Sequence, residues 1–282
     1  MKDIIVFTQN TMASIVATRE VLINNSDRIK AIVLASQFKG ESFTDQLKVA
    51  YKLTKKSSFS FFFYKLLESK VYNYLLWGHK LIKTKNYQND SAKTIEDLAG
   101  QYNIPIIKTT NLSDNDFLIN IKELNPTFVL CLVAQILRKN VFETLGNKLI
   151  NAHGSYLPEY RGAAQYFWYL FNGDRQYGVT VHFMEAGLDT GDIIFQRKFD
   201  YNQNVSMYEL HHKLATSFGF MLNEFINNYA NDNDDDHNNE LISFKQDEEK
   251  ATMTRMPTKE DFSQLKKKGN KLITFKDFCK YI

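Results

Sequence analysis

The sequence predicts an α/β fold, a doubly wound (Rossmann-like) and mostly parallel sheet with a small C-terminal α+β extension. The chain opens with a strand at 3–8, a helix at 11–23 and a second strand at 28–35, which is the β-α-β order of such a sheet. Residues 127–133 are strongly apolar, as expected for a central strand covered on both faces. With 282 residues, 44% of them hydrophobic and 24% charged, the chain is long enough for one large domain with an appendage, or for two domains.

The later elements continue this alternation. Predicted helices lie at 91–102, 113–124, 138–145, 163–171 and 206–229, and predicted strands lie at 104–108, 148–152, 178–184, 192–199 and 240–246. Ser91 is a suitable N-cap for the first of these helices, and Ser206 with Glu209 has the spacing of a capping box. We expect a catalytic domain at 1–200 and a C-terminal helix with a small extension at 201–282.

Composition argues against several classes of protein. The formal net charge of +3 gives no indication of a nucleic-acid-binding surface. The apolar stretch at 4–7 is too short for a signal peptide, and no apolar run approaches the roughly 20 residues of a membrane span, so we expect no stable membrane insertion. No metal-ligand spacing is present, because His211 and His212 are adjacent and point in different directions on a helix. Cys131 lies in an apolar run, which favours a buried thiol in a reduced compartment and therefore a cytoplasmic protein.

Residues 59–77 hold an unusual density of Phe, Tyr, Trp and Leu, with a few charged residues between them. Such a stripe most often belongs to a core helix packed on the sheet. A dimer face and a helix lying on a membrane surface are the alternatives. A homodimer is therefore possible.

The most informative stretch begins at the end of a predicted strand. Asn151 and His153 alternate across one residue, so in extended backbone both side chains leave the same face. They do so at the carboxyl end of the strand, where α/β sheets bind ligands. Asp189 lies in a second turn, between Gly187 and Gly191. An amide that stabilises an oxyanion, an imidazole that accepts a proton and a carboxylate that orients the imidazole suit acyl-type transfer to an amine. The alternative is a turn cap and a structurally satisfied histidine.

Three motifs, in this order, resemble the folate-dependent formyltransferase family. They are residues 151–158 (Asn-Ala-His-Gly-Ser-Tyr-Leu-Pro), the pair Arg161-Gly162, and residues 188–192 (Leu-Asp-Thr-Gly-Asp). The resemblance is strong from 124 to 199 and weak in the N-terminal third. The family includes glycinamide ribonucleotide, methionyl-tRNA and nucleotide-sugar formyltransferases, and this chain looks most like the last group. The resemblance implies 10-formyltetrahydrofolate as formyl donor and catalytic roles for Asn151, His153 and Asp189.

The resemblance also implies where the folate binds. Backbone groups of the turn 135–137 would line the pterin pocket, apolar side chains would form its walls, and the backbone near the Asp189 turn would border it. The cofactor contacts expected on this basis are Leu130, Gln135, Ile136, Leu137, Leu149, Met184 and Ala186. His182, just ahead of the Asp189 turn, would support the site without touching the reacting groups.

Candidate substrate contacts come from two places in the chain. Some members of the resembling family bind a substrate phosphate with a glycine-containing loop in the first turn, where this chain has Thr8, Gln9 and Asn10 instead. The same turn lacks the glycine-rich fingerprint of a dinucleotide site. Arg161 follows the catalytic turn and is either a phosphate partner or a structural arginine that pins the turn.

The acceptor of the formyl group is chosen by elimination. About 80 residues follow residue 199, which is too few for a long helix and the five-stranded barrel of a transfer-RNA enzyme. We therefore expect a nucleotide-linked amino deoxysugar, for example dTDP-4-amino-4,6-dideoxyglucose, made for surface polysaccharide such as the O-antigen of lipopolysaccharide. A methionyl-tRNA or lipid-linked amino-sugar acceptor is an alternative, and so is a folate- or nucleotide-binding regulator on the same scaffold.

Overall fold

The computed structural model describes residues 3–36, Tyr64, 94–229 and 242–281. Within these residues the strands are β1 (Ile4–Thr8), β2 (Ile29–Ala35), β3 (Ile106–Thr109), β4 (Phe128–Cys131), β5 (Leu149–His153), β6 (Arg161–Gly162), β7 (Gln176–Phe183), β8 (Ile193–Asp200) and β9 (Met253–Thr254). The α-helices are α1 (Met12–Asn25), α2 (Ile95–Gln101), α3 (Asn115–Glu123), α4 (Lys139–Leu145), α5 (Gln165–Asn172), α6 (Met207–Tyr229), α7 (Lys259–Lys267) and α8 (Phe275–Tyr281).

Seven strands form one sheet in the order β3-β2-β1-β4-β5-β7-β8. The first five strands in this order are parallel, whereas β7 is antiparallel to both β5 and β8. The chain winds outward in both directions from β1 and β4, so the predicted doubly wound, mostly parallel sheet is confirmed.

The sheet is covered on both faces, and residues 4–7 of β1 and all four residues of β4 are accordingly apolar and buried. In β1, Ile4 and Val6 enter one buried cluster while Ile5 and Phe7 enter the other. Helices α1, α2, α5 and α6 contribute to the first cluster, and α3 and α4 contribute to the second. Alternate side chains of a strand leave opposite faces, so a continuous apolar run is what a sheet covered on both faces requires.

Two helix starts can be compared with their predicted caps. Helix α6 begins as predicted, with the Ser206 hydroxyl accepting from the backbone N–H of Glu209 at 3.0 Å. Helix α2 is capped by Thr94, whose side chain forms a capping box with Asp97. Ser91, the predicted cap, lies outside the described residues.

The C-terminal region differs from the prediction in its strands. The expected strand at 240–246 is reduced, among the described residues, to one bridge between Phe244 and Ile193. A small parallel pair of strands, β6 with β9, forms instead and joins residues 161–162 to residues 253–254. Phe262 and Leu265 of α7 are buried in the first core cluster, beside residues of α5 and α6. The division of the chain at residue 200 stays a prediction.

Tyr64 is the one described residue of the aromatic stretch at 59–77. Its side chain is buried, and its hydroxyl lies 2.8 Å from Nδ1 of His211 on α6. Tyr64 therefore packs into the core at this point, as the core-helix interpretation expects. The rest of that stretch lies outside the described residues.

Candidate active site

Strand β5 brings the two polar side chains of the first motif to the carboxyl end of the sheet. Asn151 is half-buried and His153 is buried, and both follow apolar residues that anchor the strand. Antiparallel pairing places Asn151 opposite His182 of β7, and His153 opposite Thr180. The rings of His153 and His182 meet edge to face, with centroids 6.2 Å apart. The site is thus built on two adjacent strands, which hold it rigidly.

Asp189 reaches His153 from the loop between β7 and β8. Its Oδ1 lies 3.4 Å from Nδ1 of His153, and its Oδ2 accepts from the backbone N–H of Gly162 at 2.9 Å. The backbone of Asp189 is left-handed, with φ of 54°, a conformation that Asp tolerates better than most residues. At Gly191 an added Cβ would collide with the carbonyl oxygen of Phe183, so the loop needs glycine there.

His182 orients the carboxamide of Asn151. Burial, followed by the neighbouring charge of His153, lowers the pKa of His182 to about 4, so its ring is neutral near pH 7. Nδ1 lies 2.7 Å from the carbonyl oxygen of Phe183, which can only accept, so Nδ1 carries the proton. Nε2 is then an acceptor, and the Asn151 amide nitrogen donates to it at 3.3 Å. The second amide hydrogen of Asn151 stays available for an oxygen that develops negative charge.

Both ring nitrogens of His153 face acceptors. Nδ1 faces the Asp189 carboxylate, and Nε2 lies 3.1 Å from the carbonyl oxygen of Tyr160. These two contacts are satisfied together only when the imidazole carries both protons. Gln165 adds a third neighbour, since its amide nitrogen lies 3.3 Å from Nε2 of His153. When Nε2 of His153 accepts a proton, it must therefore exchange the Gln165 amide for the Tyr160 carbonyl as its hydrogen-bond partner.

Arg161 makes its contacts within the protein in this structure. Its guanidinium is buried, donates from Nε and one NH₂ group to the Gln246 side-chain oxygen at 3.0 and 2.8 Å, and forms an ion pair with Glu248 at 2.6 Å. Gln246 in turn donates to the carbonyl oxygens of Asp189 and Gly191, at 2.8 Å each. Of the two roles considered for Arg161, the contacts favour the arginine that pins the catalytic turn, because its donors are occupied within the protein.

Two of the three candidate substrate contacts of the first turn have buried side chains. The Thr8 hydroxyl is fully buried and lies 2.9 Å from that of Thr18 on α1. The Gln9 side chain is buried and accepts from the backbone N–H of Ala134 at 3.4 Å. Both side chains are bound within the protein, because Thr8 ends the central strand β1 and Gln9 follows it directly. A substrate role for either residue stays a prediction.

Asn10, the third candidate, lies further out but is turned toward helix α2. Its amide nitrogen donates to Glu96 at 3.1 Å, and its oxygen accepts from the backbone N–H of Ile95 at 3.3 Å. It ties the first turn to the start of that helix. A substrate role for Asn10 stays a prediction and would require it to release these contacts.

Leu130 and Leu149 do not line one pocket together, which corrects their expected role as pterin walls. The parallel register pairs Leu130 with Ile150 and Val129 with Leu149, so the two leucines leave opposite faces of the sheet. Both are fully buried, Leu130 in the first core cluster and Leu149 in the second. Their side chains build the core beneath the site.

The other expected cofactor contacts lie in the segments that follow β4 and β7. Leu137 belongs to the second core cluster, and Met184 packs against the same cluster. Ile136 is 91% exposed, and Ala186 is exposed as well. Gln135 donates its side-chain amide at 2.7 Å to the backbone carbonyl of the residue after β2, so its contribution to a ligand comes from its backbone. An exposed apolar side chain beside a polar backbone turn suits a flat heteroaromatic ring, and these five contacts stay a proposal.

Gln165, Tyr160 and Gln246 are site residues that the sequence did not indicate. Gln165 reaches His153 from the first position of α5. Tyr160 contributes through its backbone, from a left-handed conformation with φ of 57°. Gln246 lies 57 residues from the Asp189 that it holds. Neither a backbone carbonyl nor a distant glutamine leaves a local pattern that a single sequence could reveal.

The described residues offer neither a metal site nor a membrane-spanning helix. No group of three His, Cys, Asp or Glu side chains in that part of the chain could hold a metal ion. No helix within the same ranges is both long enough and apolar enough to span a bilayer. Burial raises the pKa of the Cys131 thiol to about 12, so it is not a reactive nucleophile near neutral pH.

Comparison with known proteins gives one family. Residues 78–223 match the family model described as formyl transferase. A methionyl-tRNA formyltransferase of Finegoldia magna is 32% identical over 148 residues, which is 52% of this chain and 48% of that enzyme. One from Clostridioides difficile is 39% identical over 121 residues, 43% of this chain and 39% of the enzyme. The chain therefore matches only about half of the length of these curated relatives, or less.

Solved structures of low identity share the fold. An N-formyltransferase of Helicobacter canadensis, solved with folinic acid and dTDP-3-aminofucose, superposes with a TM-score of 0.54 at 18% identity, covering 93% of this chain and 72% of that one. A sugar 3N-formyltransferase solved with dTDP and 5-N-formyltetrahydrofolate also gives a TM-score of 0.54, at 17% identity, covering 90% and 69%. At this identity the likeness concerns the fold alone.

Proposed function

The chain belongs to the formyl transferase family, and from that premise we propose that it transfers the formyl group of 10-formyltetrahydrofolate to a primary amine. The observation that carries this proposal is the grouping of Asn151, His153 and Asp189 at the carboxyl end of β5, with contacts of 3.3 to 3.4 Å through His182 and His153. Such a group supplies an oxyanion donor, a base and an orienting carboxylate without a nucleophilic side chain, because the substrate amine is the nucleophile.

Each side chain has one task in the proposed reaction. The folate, when bound, supplies an activated formyl carbon. Asn151 donates its second amide hydrogen to the formyl oxygen as the new carbon–nitrogen bond forms and that oxygen gains charge. His153 takes the proton that the amine loses, and that proton passes to the folate nitrogen whose bond to the formyl carbon breaks. Asp189 holds the imidazole and balances its positive charge.

Three apolar positions in the segments that follow β4 and β7 support the folate as donor. Ile136, Leu137 and Met184 form an apolar margin that is exposed at Ile136 and continuous with the core at Leu137. The neighbouring folds solved with folate derivatives support the same donor. Calorimetry with 5-formyltetrahydrofolate, a stable analogue of the donor, tests this part directly, and Ile136→Asp should weaken binding if this margin contacts the pterin.

We infer that the acceptor is an amino deoxysugar linked to a nucleotide, with a thymidine nucleotide favoured. The supporting observation is that the fold likeness to formyltransferases solved with dTDP or with a dTDP-linked amino sugar extends over 90 to 93% of the chain. A dTDP-linked 4-amino-4,6-dideoxy or 3-amino-3,6-dideoxy hexose is the substrate class to test. The proposed reaction would follow an aminotransferase, which makes the amine of the sugar. It would precede a glycosyltransferase, which uses the formamido sugar.

Methionyl-tRNA is the second candidate acceptor. The curated relatives at 32 to 39% identity carry that name, although each match covers about half of the relative or less. The two acceptors can be separated in one assay. Protein and 10-formyltetrahydrofolate are incubated with dTDP-linked amino sugars and, in parallel, with charged initiator tRNA, and the mass gain of one formyl group is measured. Formylation of the tRNA with every amino sugar inert, lipid-linked ones included, would overturn the sugar proposal, and folate binding without any turnover would favour a regulator.

A further inference from the structure

Gln165, the first residue of α5, places a carboxamide against the catalytic imidazole. Its side chain is 8% exposed. The orientation of the carboxamide is fixed by its neighbours: the amide nitrogen donates to the carbonyl oxygen of Gly162 at 2.7 Å and lies 3.4 Å from that of Tyr160. Carbonyl oxygens only accept, so the group that faces them must be the NH₂ end. Gln165 therefore presents a donor in this corner of the site.

The same NH₂ group lies 3.3 Å from Nε2 of His153, which is also 3.1 Å from the carbonyl oxygen of Tyr160. Nε2 thus has one donor and one acceptor within reach. When Nε2 carries no proton, its lone pair can accept from Gln165. When Nε2 carries a proton, it can donate to the Tyr160 carbonyl. A ring nitrogen cannot make both contacts at once, because one needs a lone pair and the other an N–H.

We propose that Gln165 is a positioning residue that works with the Tyr160 carbonyl to hold Nε2 of His153 in one place in both of its protonation states. The base then gains and loses its proton by changing hydrogen-bond partner, without rotating away from the acceptor amine. The catalytic meaning of this arrangement rests on the proposed formyl transfer. The arrangement itself is a property of the free protein and can be measured without any substrate.

The remaining groups around His153 act on its other side or at a greater distance. Asp189 faces Nδ1 at 3.4 Å, on the other side of the ring from Gln165. The ring of His182 packs edge to face on His153 and is neutral near pH 7. The Arg161 guanidinium is close enough to lower the pKa of His182. None of these groups offers a donor to Nε2, so the neutral form of His153 depends on Gln165 for that contact.

The test is a titration of His153 in the free protein, followed by NMR of imidazoles labelled with ¹³C at Cε1. The signal is assigned from its loss in His153→Asn. Gln165→Met keeps the size of the side chain and removes the donor, so the titration midpoint of His153 should rise by roughly half to one pH unit, the size of one lost hydrogen bond. Gln165→Glu should raise it further, because a carboxylate accepts from the imidazolium.

Gln196→Met is the matched control. Gln196 is also partly buried, and its carboxamide donates to the carbonyl oxygen of Leu157 at 2.9 Å and to the Thr180 hydroxyl at 3.2 Å, not to His153. This variant should leave the His153 midpoint unchanged. The proposal is overturned if Gln165→Met shifts the midpoint by less than about 0.2 unit, or if Gln196→Met shifts it equally. Should Gln165→Met fail to fold, the shift in Gln165→Glu decides the question.

Formylation kinetics provide a separate comparison. The acceptor is the one that the formylation assay identifies. In Gln165→Met, the acid limb of the pH profile of kcat/KM should move in the same direction as the NMR midpoint, with KM for the folate unchanged. An inactive wild-type protein with the expected NMR shifts would refute the proposed reaction and leave the positioning role intact. Normal turnover in the wild type, with an unshifted His153 midpoint in Gln165→Met, would support the proposed reaction and refute the positioning role.

Discussion

The neutral His182 ring accepts from the amide nitrogen of Asn151 at 3.3 Å, while its own Nδ1 donates to the Phe183 carbonyl at 2.7 Å. The second contact determines which ring nitrogen carries the proton, and the first then determines which end of the Asn151 carboxamide is the NH₂ end. The proposed oxyanion donor is thus oriented by a residue that need not touch the substrate. This is how a buried histidine can serve catalysis without exchanging a proton.

If His182 acts only through Asn151, the effects on kcat of substituting the two residues should not be additive in a double-mutant cycle. Asn151→Ala removes the oxyanion donor and should lower kcat by about 10² to 10³. His182→Phe leaves Asn151 unoriented and should lower kcat by about tenfold, with KM for the folate unchanged. Added to Asn151→Ala, His182→Phe should have little further effect. Losses that multiply would show that His182 has an independent role.

His153→Asn removes the base that the site offers to the amine. Turnover should fall at least about 10²-fold, the usual scale of general-base catalysis. Binding of 5-formyltetrahydrofolate, measured by calorimetry, should persist, because the expected pterin contacts come from other residues. Near-normal turnover in this variant would contradict the mechanism.

Asp189→Asn should separate orientation of His153 from folding. Asparagine tolerates the left-handed backbone at this position and keeps an oxygen that accepts from Gly162, so the melting temperature should change little. The negative charge facing His153 is lost, and the rate should fall by at least about 10²-fold. Glu185→Gln, which removes an exposed charge from the same loop, is the control and should stay active. A large fall in melting temperature would instead mark Asp189 as a structural residue.

The sequence was sufficient for features that repeat locally. Continuous apolar runs predicted the buried strands, and the one-residue spacing of Asn151 and His153 predicted that both side chains leave β5 on one side. Register between strands was not accessible in this way. Leu130 and Leu149 were expected in one pocket, yet the pairing of β4 with β5 places them on opposite faces. A shift of one residue in register would reverse that result, and nothing in either strand alone fixes it.

Contacts between distant segments were the other limit. Gln246 holds the Asp189 turn and also binds Arg161, 85 residues earlier in the chain. The segment at 240–246 was predicted as a strand, but among its described residues only Phe244 pairs, with Ile193. The tertiary contacts of Gln246 took precedence over local strand propensity there.

Arg161→Met should lower stability without a specific effect on substrate affinity. The substitution leaves the buried Gln246 oxygen without its guanidinium donor, and an unsatisfied buried acceptor costs about 1 to 3 kcal/mol of unfolding free energy. Arg197→Met is the control, since that arginine pairs with Glu224 at an exposed position and should cost well under about 1 kcal/mol. Urea unfolding measures both. A raised KM for the acceptor with unchanged stability would instead identify Arg161 as a phosphate partner.

His212 should make the protein less stable as the pH falls below 7. Burial, with the charges of Arg19 and His211, lowers the pKa of His212 to about 3, from 6.5 for a free histidine. The unfolded chain therefore binds a proton at His212 below about pH 6.5, while the folded chain binds it only near pH 3. The unfolding free energy contributed by this difference is fully present above pH 6.5 and is lost progressively as the pH falls toward 3. Between the two pKa values, each unit by which the pH falls lowers the unfolding free energy by about 1 kcal/mol.

His212→Gln should therefore lose less stability between pH 6.5 and 5 than the wild type, as measured by urea unfolding at both pH values. The same slope in both proteins would show that His212 protonates equally in the folded and unfolded states.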